Sequence, residues 1–316
     1  MQRYIIRRIL QGIPVLWIVS VIIFGLMQSI PGDAADMALG VGPEVTEEMR
    51  AALRHEWGLD RPAHVQYWSW FTRLLRGDLG YSLYSRYPVS KLFAQKFPAT
   101  LQLAVVSLLM ALLVAIPAAV VAAIYPNSLI DYLVSVFVTL GMAMPGFWLG
   151  IMLMIVFGTS LKWLPVSGYV PASEDLQQNV RHMILPATTV AILLAAPIMR
   201  FLRASMLEVV QEDYIRTARA KGLAERVVVL GHSLKNALIP TVTVVGMQFA
   251  GLLGGTVAIE WVFAWPGIGW LAMQGIRQRD YAVVQATVVL VAAAFVFINI
   301  AVDAIYVIID PRIRYD

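Results

Sequence analysis

The side chains able to carry chemistry are few in this sequence, and most of them crowd into one stretch. There is no cysteine, so neither a thiolate metal site nor a cysteine nucleophile can form. The histidines, His55, His64, His182 and His232, are scattered and leave little for a metal. No G-x-x-x-x-G-K-[ST], H-E-x-x-H or G-x-S-x-G occurs, which removes the P-loop phosphate cradle, the zinc-protease pair and the nucleophile elbow. No catalytic residue is expected, and work must be driven by an ion gradient or by a partner.

The remaining candidates are ionisable groups set among apolar residues. Asp303 lies within a hydrophobic segment, about 10 Å from that segment's end at 1.5 Å per residue. A partner at Arg200 or Arg203 is the natural expectation, as a structural ion pair or as a proton relay. Glu260 falls near a segment edge. In the fifth segment, Gly246, Gly251, Gly254 and Gly255 invite close helix approach or line a solute path, in which case Gln248 and Thr256 supply its polar groups. Trp265, Pro266, Gly267 and Gly269 form a breaker cluster, either an interfacial turn or the lip of an outer gate.

The richest stretch is 200–240, with Arg200, Arg203, Arg216, Arg219, Lys221, Arg226 and Lys235. Residues 207–221 favour helix, and Gly222 offers the left-handed position that ends one. A second helical run starts near Ala224 or Glu225, with Leu230, Leu234 and Leu238 at helical spacing. Tyr214, Ile215 and Ala218 form a short apolar patch beside Arg216, Arg219 and Lys221. A helix lying on anionic lipid is one reading; a knob seated in a partner's groove fits a short patch beside a glycine turn better.

The elements that position these residues are membrane spans. At 316 residues, 59% hydrophobic and 14% charged, with a mean hydropathy of +0.72, the chain cannot hide its apolar surface as a soluble domain. Uncharged segments at 10–30, 100–124, 132–160, 183–199, 237–259 and 281–302 are each long enough to cross about 30 Å of hydrocarbon. Six transmembrane helices in an all-α protein are expected, with kinks rather than breaks at Pro14, Pro117, Pro145 and Pro197. The first segment exceeds the roughly 7–15 apolar residues of a signal peptide and reads as an uncleaved anchor.

Orientation follows from the basic residues. Arg3, Arg7 and Arg8, the bases of 200–240, and Arg312 and Arg314 fall on one side, against Lys162, Arg181, Arg277 and Arg279 on the other. Both termini and 200–240 are therefore expected in the cytoplasm. The net charge of +4 has this topological cause and does not point to nucleic acid. The division is an anchor helix at 1–30, an extracytoplasmic loop at 31–99 and a core at 100–316. In the loop, Pro43, Thr46, Glu47 and Glu48 read as a helix start followed by Met49, Leu53 and Trp57. Tyr67, Trp68, Trp70 and Phe71 then form either an interfacial belt or a contact surface for a partner.

The spacing of Thr217, Ala218, Gly222, Leu234 and Pro240 resembles the cytoplasmic EAA loop of binding-protein-dependent ABC importer permeases. D-Y-I-R-T-A-R-A-K-G-L at 213–223 and H-S-L-K-N-A-L-I-P at 232–240 are similar to the dipeptide, oligopeptide and nickel branch, with Arg216 and His232 where the general loop has Glu and Ile. The likeness extends over Arg7, Arg8, Pro14, Ser20, Pro31-Gly32-Asp33, W-G-L-D-R-P at 57–62, Gln66-Tyr67 and G-D-L-G-Y-S at 77–82. It continues through W-P-G-I-G at 265–269, Arg279-Asp280-Tyr281 and D-P-R-I-R-Y at 310–315.

The resemblance implies the first of two paired permeases, with a type I (MetI-like) core and no enzyme activity of its own. Its partners would be a homologous second permease, two ATP-binding subunits that carry ATP and Mg, and an extracytoplasmic substrate-binding protein. Residues Asp213, Tyr214, Ile215, Arg216, Thr217, Ala218, Arg219, Ala220, Lys221, Gly222 and Leu223 would couple to the ATPase, and this chain would hold no cofactor. An ion-coupled carrier acting without ATPases is the competing class. A polytopic membrane enzyme is disfavoured by the missing motifs.

Overall fold

The computed structural model describes residues 2–29 and 46–309, and the side chains among them except those of 2–5, Leu253 and 303–309. Pro31-Gly32-Asp33, Pro43, Arg312, Arg314 and the motif at 310–315 lie outside the described residues, and so does the Asp303 side chain. Regular structure among the described residues is helical, with an isolated antiparallel bridge from Tyr81 to Pro88. The helices are α1 (Gln2–Gln28), α2 (Glu47–Trp57), α3 (Ala63–Leu75), α4 (Val89–Ile124), α5 (Leu129–Ala143), α6 (Gly146–Leu153), α7 (Leu176–Val210), α8 (Asp213–Ala220), α9 (Glu225–Val227), α10 (Leu234–Gly255), α11 (Val257–Val262), α12 (Ile268–Arg277) and α13 (Tyr281–Ile309).

Five helical stretches are long and apolar enough to cross a membrane, and α5 with α6 and its π-helical continuation Met154–Ser160 makes a sixth if the bent pair is one span. That pair corrects the expectation of kinks alone, because the chain turns by 110° between them. Met144 precedes a proline and is pushed to extended backbone, ψ 132; Pro145 has no N–H to continue the ladder, so a new helix starts after it. Pro14, Pro117, Pro186, Pro197 and Pro240 stay inside continuous helix.

The chain divides into two units. The larger is built on Leu101–Trp265, with the later part of α13. Its core joins α4, α5, α7, α10 and α11 through Ala111, Val138, Leu194, Ile198, Leu252 and Phe263. Glycine allows two of the approaches. A Cβ on Gly141 would sit 2.9 Å from that of Ala196, and one on Gly150 2.9 Å from the Phe263 ring. The α7 helix is the spine, and its 35 residues extend about 52 Å, well beyond a hydrocarbon core of about 30 Å. The segment expected at 183–199 is thus the middle of a helix longer than the hydrocarbon core is thick. Asp175 caps its start by accepting the Gln178 N–H at 3.0 Å.

The second unit comprises Ile6–Thr100 and Pro266–Ala294. Thr46 caps α2 by accepting the Met49 N–H at 3.2 Å, as a Thr followed by acidic residues leads one to expect. The aromatic cluster of α3 divides its work. Tyr67 and Trp70 lie against Phe24 of α1 at ring distances of 5.4 and 5.8 Å, and the Tyr67 hydroxyl meets that of Ser20 at 2.9 Å. Trp68 stays exposed. Part of the cluster therefore fixes α3 to α1.

Candidate functional site

The polar stretch after α7 does not form one helix over 207–221. The α7 helix ends at Val210, Gln211 and Glu212 turn the chain, and the eight-residue α8 follows. Its apolar residues face inward. Ile215 is fully buried and Ala218 nearly so, packed with Val228 and Val209. Ile215 and Ala218 thus bind α8 to its own chain; of the three residues in the expected patch only Tyr214 is exposed. Burying an isoleucine stabilises by roughly 1.5–3 kcal/mol, enough to hold a helix too short to persist alone.

The end of α8 is fixed by backbone geometry. Gly222 adopts φ +75, its N–H donates to the Arg219 carbonyl at 2.9 Å, and the Leu223 N–H donates to that of Ala218 at 3.4 Å. These two bonds make a Schellman end with glycine at the left-handed position. Across the turn the Arg219 guanidinium donates to both Glu225 oxygens, at 2.7 and 3.2 Å. That pair raises the Arg219 pKa, the hydrogen bond to Glu225 being the leading cause. Burial, then the Glu212 charge, pushes the Tyr214 phenol up. Thr217 donates to the Asp213 carbonyl at 2.9 Å, and Arg216 meets Asp213 at 3.5 Å with both side chains largely in solvent, a pair of little energetic value. Every residue from Asp213 to Leu223 other than Ile215 and Ala218 is exposed.

The second helical run starts at Glu225, the later of the two expected positions, and continues unbroken into α10. Its buried stripe is Val229, Ser233 and Ala237, while Leu230 is 46% exposed. The reason is a π-helical segment, Val228–Ser233, whose wider turn shifts the phase away from the Leu230, Leu234, Leu238 register. Leu234 and Leu238 still pack beside Leu202 and Met206 of α7.

Arg203 finds a partner that sequence reasoning missed. Its guanidinium donates to both oxygens of Asp131, at 2.6 and 2.7 Å, and Asp131 also accepts the Asn127 N–H at 2.9 Å. Asp131 is 4% exposed, Glu260 is fully buried and Asp280 is 1% exposed, so three carboxylates other than the expected Asp303 are drawn into the fold. Arg200 stands one turn from Arg203 and is exposed.

The candidate path residues separate by environment. Gly246 accommodates Val302 of α13, whose side chain would collide with any Cβ there, whereas Gly251, Gly254 and Gly255 face open space. Gln248 is half-buried. Thr256 is 1% exposed and donates to Glu260 at 3.3 Å, so its hydroxyl faces protein. At the candidate gate Trp265 is fully buried, edge-on to Tyr169 at 4.7 Å. Gly267 is also buried. Trp265 therefore packs inside the protein.

Five apolar stretches long enough to cross a membrane, with the bent pair as a candidate sixth, define a polytopic helical membrane protein, and a short helix packs on its own chain between α7 and α10. The family described as "Binding-protein-dependent transport system inner membrane component" matches residues 115–315, and that of the N-terminal part of the membrane component of a binding-protein-dependent transport system matches residues 1–104. The glutathione transport system permease protein GsiC of Salmonella typhimurium is 42% identical over the full length of both chains, and that of Escherichia coli K12 is 41% identical. A solved amino acid ABC transporter with histidines covers 71% of this chain at a TM-score of 0.50 and 15% identity, a likeness of fold. The chain belongs to the binding-protein-dependent ABC importer permeases, in the peptide, oligopeptide and nickel branch. It is a multi-pass inner-membrane protein of a non-enzymatic transport family, with the fold expected from its sequence.

Proposed function

We propose that this chain forms, with a homologous second permease, the path by which a short peptide or peptide-like solute of glutathione size enters the cell. Two ATP-binding subunits holding ATP and Mg would drive it, and an extracytoplasmic binding protein would deliver the cargo to the loop at 31–99. Both termini and α8 lie in the cytoplasm on this reading, supported by the distribution of Arg and Lys. The full-length identity to permeases named for glutathione transport supports the solute class.

The observation that carries the coupling role is the construction of α8. Its apolar residues are anchored by Val228 and Val209, its end is fixed at Gly222, and its polar face points away from the chain. A rigid knob at the junction of α7 and α10 transmits displacement of a docked ATPase into both helices. Coupling of this kind requires different contacts in two states.

Purification of the assembled importer with its binding protein, followed by identification of the bound ligand and of ATP-dependent uptake in vesicles, tests the reading. Uptake of a peptide that requires ATP and both partners is expected. Transport by this chain alone under an ion gradient would instead establish the ion-coupled carrier.

A further inference from the structure

A cavity of about 450 Å³ lies between α5 and α7, within the larger unit. That volume is in the range of small-molecule pockets, roughly 300–1,000 Å³. Its walls include Ser135, Thr139, Met142, Met199, Arg200 and Arg203. Ser135, Thr139 and Met142 are spaced four and three residues apart and so share one face of α5. Counting from Asp131, Ser135 stands about 6 Å and Thr139 about 12 Å further along the helix. The cavity therefore follows the span inward from the Asp131 and Arg203 pair.

The two arginines differ in what they can do. Arg203 has both sides of its fork on Asp131, and this pair is neutral. Among the described residues Arg200 makes no ion pair, so the cavity carries a net positive charge. Ionisable side chains at membrane depth are costly and face protein or water rather than lipid. A guanidinium presents several N–H donors in a plane that matches a carboxylate. The Thr139 hydroxyl donates to the Ser135 carbonyl at 2.8 Å and keeps its oxygen as an acceptor for a solute N–H or water.

We propose that Arg200 is a transient binding residue for a carboxylate of the transported solute, in a water-filled cavity lined by Ser135 and Thr139. This rests on the peptide reading above for the identity of the anion. The same oxyanion chemistry belongs to a phospholipid phosphate, and the test distinguishes the two.

Because the chain has no cysteine, Thr139→Cys places a single thiol in the cavity. In the assembled importer, with partner chains freed of reactive thiols, its rates with an anionic and a cationic membrane-impermeant methanethiosulfonate are compared. The anionic-to-cationic rate ratio is expected to fall about tenfold when Arg200→Ala is added, the scale of local ion concentration by a focused charge. Arg200→Lys should retain the ratio. Glutathione should slow labelling where its diester does not. Ser135→Cys provides the same measurement if Thr139→Cys fails to assemble. A ratio unchanged by Arg200→Ala overturns the proposal, and is the result expected if Asp303 neutralises Arg200. Labelling that is slow with anionic phospholipid and fast in wholly zwitterionic vesicles also overturns it, in favour of a lipid phosphate. Wild-type vesicles that take up no glutathione while keeping the rate ratio count against the cargo alone.

Discussion

Arg203 and Asp131, separated by 72 positions in the chain, are joined by two parallel hydrogen bonds of 2.6 and 2.7 Å. They clamp α7 to the first turn of α5, next to the Ser128 cap that accepts the Asp131 N–H at 3.3 Å. Removing one partner of a largely buried pair leaves an uncompensated charge and costs about 3 kcal/mol. Asp131→Ala or Arg203→Ala alone should lower the thermal unfolding midpoint of the detergent-solubilised chain clearly. The Asp131→Asn, Arg203→Gln double variant should be more stable than the sum of its singles predicts. A strictly additive double-mutant cycle would show that the two groups do not interact energetically.

The inward face of α8 and its outward face should fail in different ways. Ile215→Ala deletes a fully buried side chain, at a cost of about 2 kcal/mol or more. Hydrogen exchange over residues 213–221 should rise, and ATPase stimulation by loaded binding protein should fall with it. Arg216→Glu changes a side chain that is 72% exposed. It should leave exchange over α8 unaltered while reducing that stimulation. Equal exchange in both variants would refute the division between anchoring and docking faces.

Much of this element was legible in the sequence, and the rest was hidden for identifiable reasons. Gly222 as a helix end follows from local chemistry and is observed; the next start was legible only as Ala224 or Glu225, because no side chain caps it, and it falls at Glu225. The direction of Ile215 and Ala218 depends on Val228 and Val209, which flank α8 in sequence but meet it only after two turns. The phase change at Leu230 depends on a π turn, for which composition gives no clear sign. Spans were legible because a run of apolar residues marks them; the 110° turn at Pro145 was not, since a proline in a membrane helix is compatible with either a kink or a break. Asp131 was overlooked because it stands at a segment edge, where a solvated carboxylate is the ordinary case. Its burial follows from α7 extending far enough to bring Arg203 alongside.

Gly222 offers a test confined to the backbone. A Cβ there meets nothing within 4 Å, yet φ is +75. The penalty for another residue is therefore conformational, about 1–2 kcal/mol. Gly222→Val should reduce ATP-driven uptake with membrane insertion intact, while Gly222→Asn, which tolerates the left-handed region, should retain most of it. Uptake indifferent to both changes would remove the turn from the coupling path.

Arg219 permits a charge exchange. Its bidentate bond to Glu225 spans the Gly222 turn, with 40% and 54% of the two side chains exposed. An exposed pair is worth well under 1 kcal/mol in most cases, so Arg219→Glu should act on coupling more than on stability. If the pair sets the angle between α8 and α9, adding Glu225→Arg should recover uptake. Persistent loss in the exchanged variant would mean that Arg219 is needed as a cation for a partner.

Asp280 joins two motifs that the sequence keeps far apart. The Ser82 hydroxyl donates to it at 2.5 Å across 198 positions, and the Tyr84 N–H approaches at 3.4 Å. The same carboxylate accepts the Val283 N–H at 3.3 Å, so it also caps α13. The G-D-L-G-Y-S motif at 77–82 and the Arg279-Asp280-Tyr281 motif thus meet at one carboxylate, 1% exposed. Loss of a cap costs about 1 kcal/mol, and loss of a hydrogen bond to a charged group roughly 1.5–3 kcal/mol more. Asp280→Ala should therefore loosen the segment from Ser82 to Pro88 and the start of α13 together. Limited proteolysis at the exposed residues Tyr84, Arg86 and Tyr87, compared with hydrogen exchange at 281–284, reads both ends of the tie. Ser82→Ala should loosen the loop while sparing the helix cap. Asp280→Ala protection at 281–284 equal to that of Ser82→Ala would show that the cap does not depend on this carboxylate.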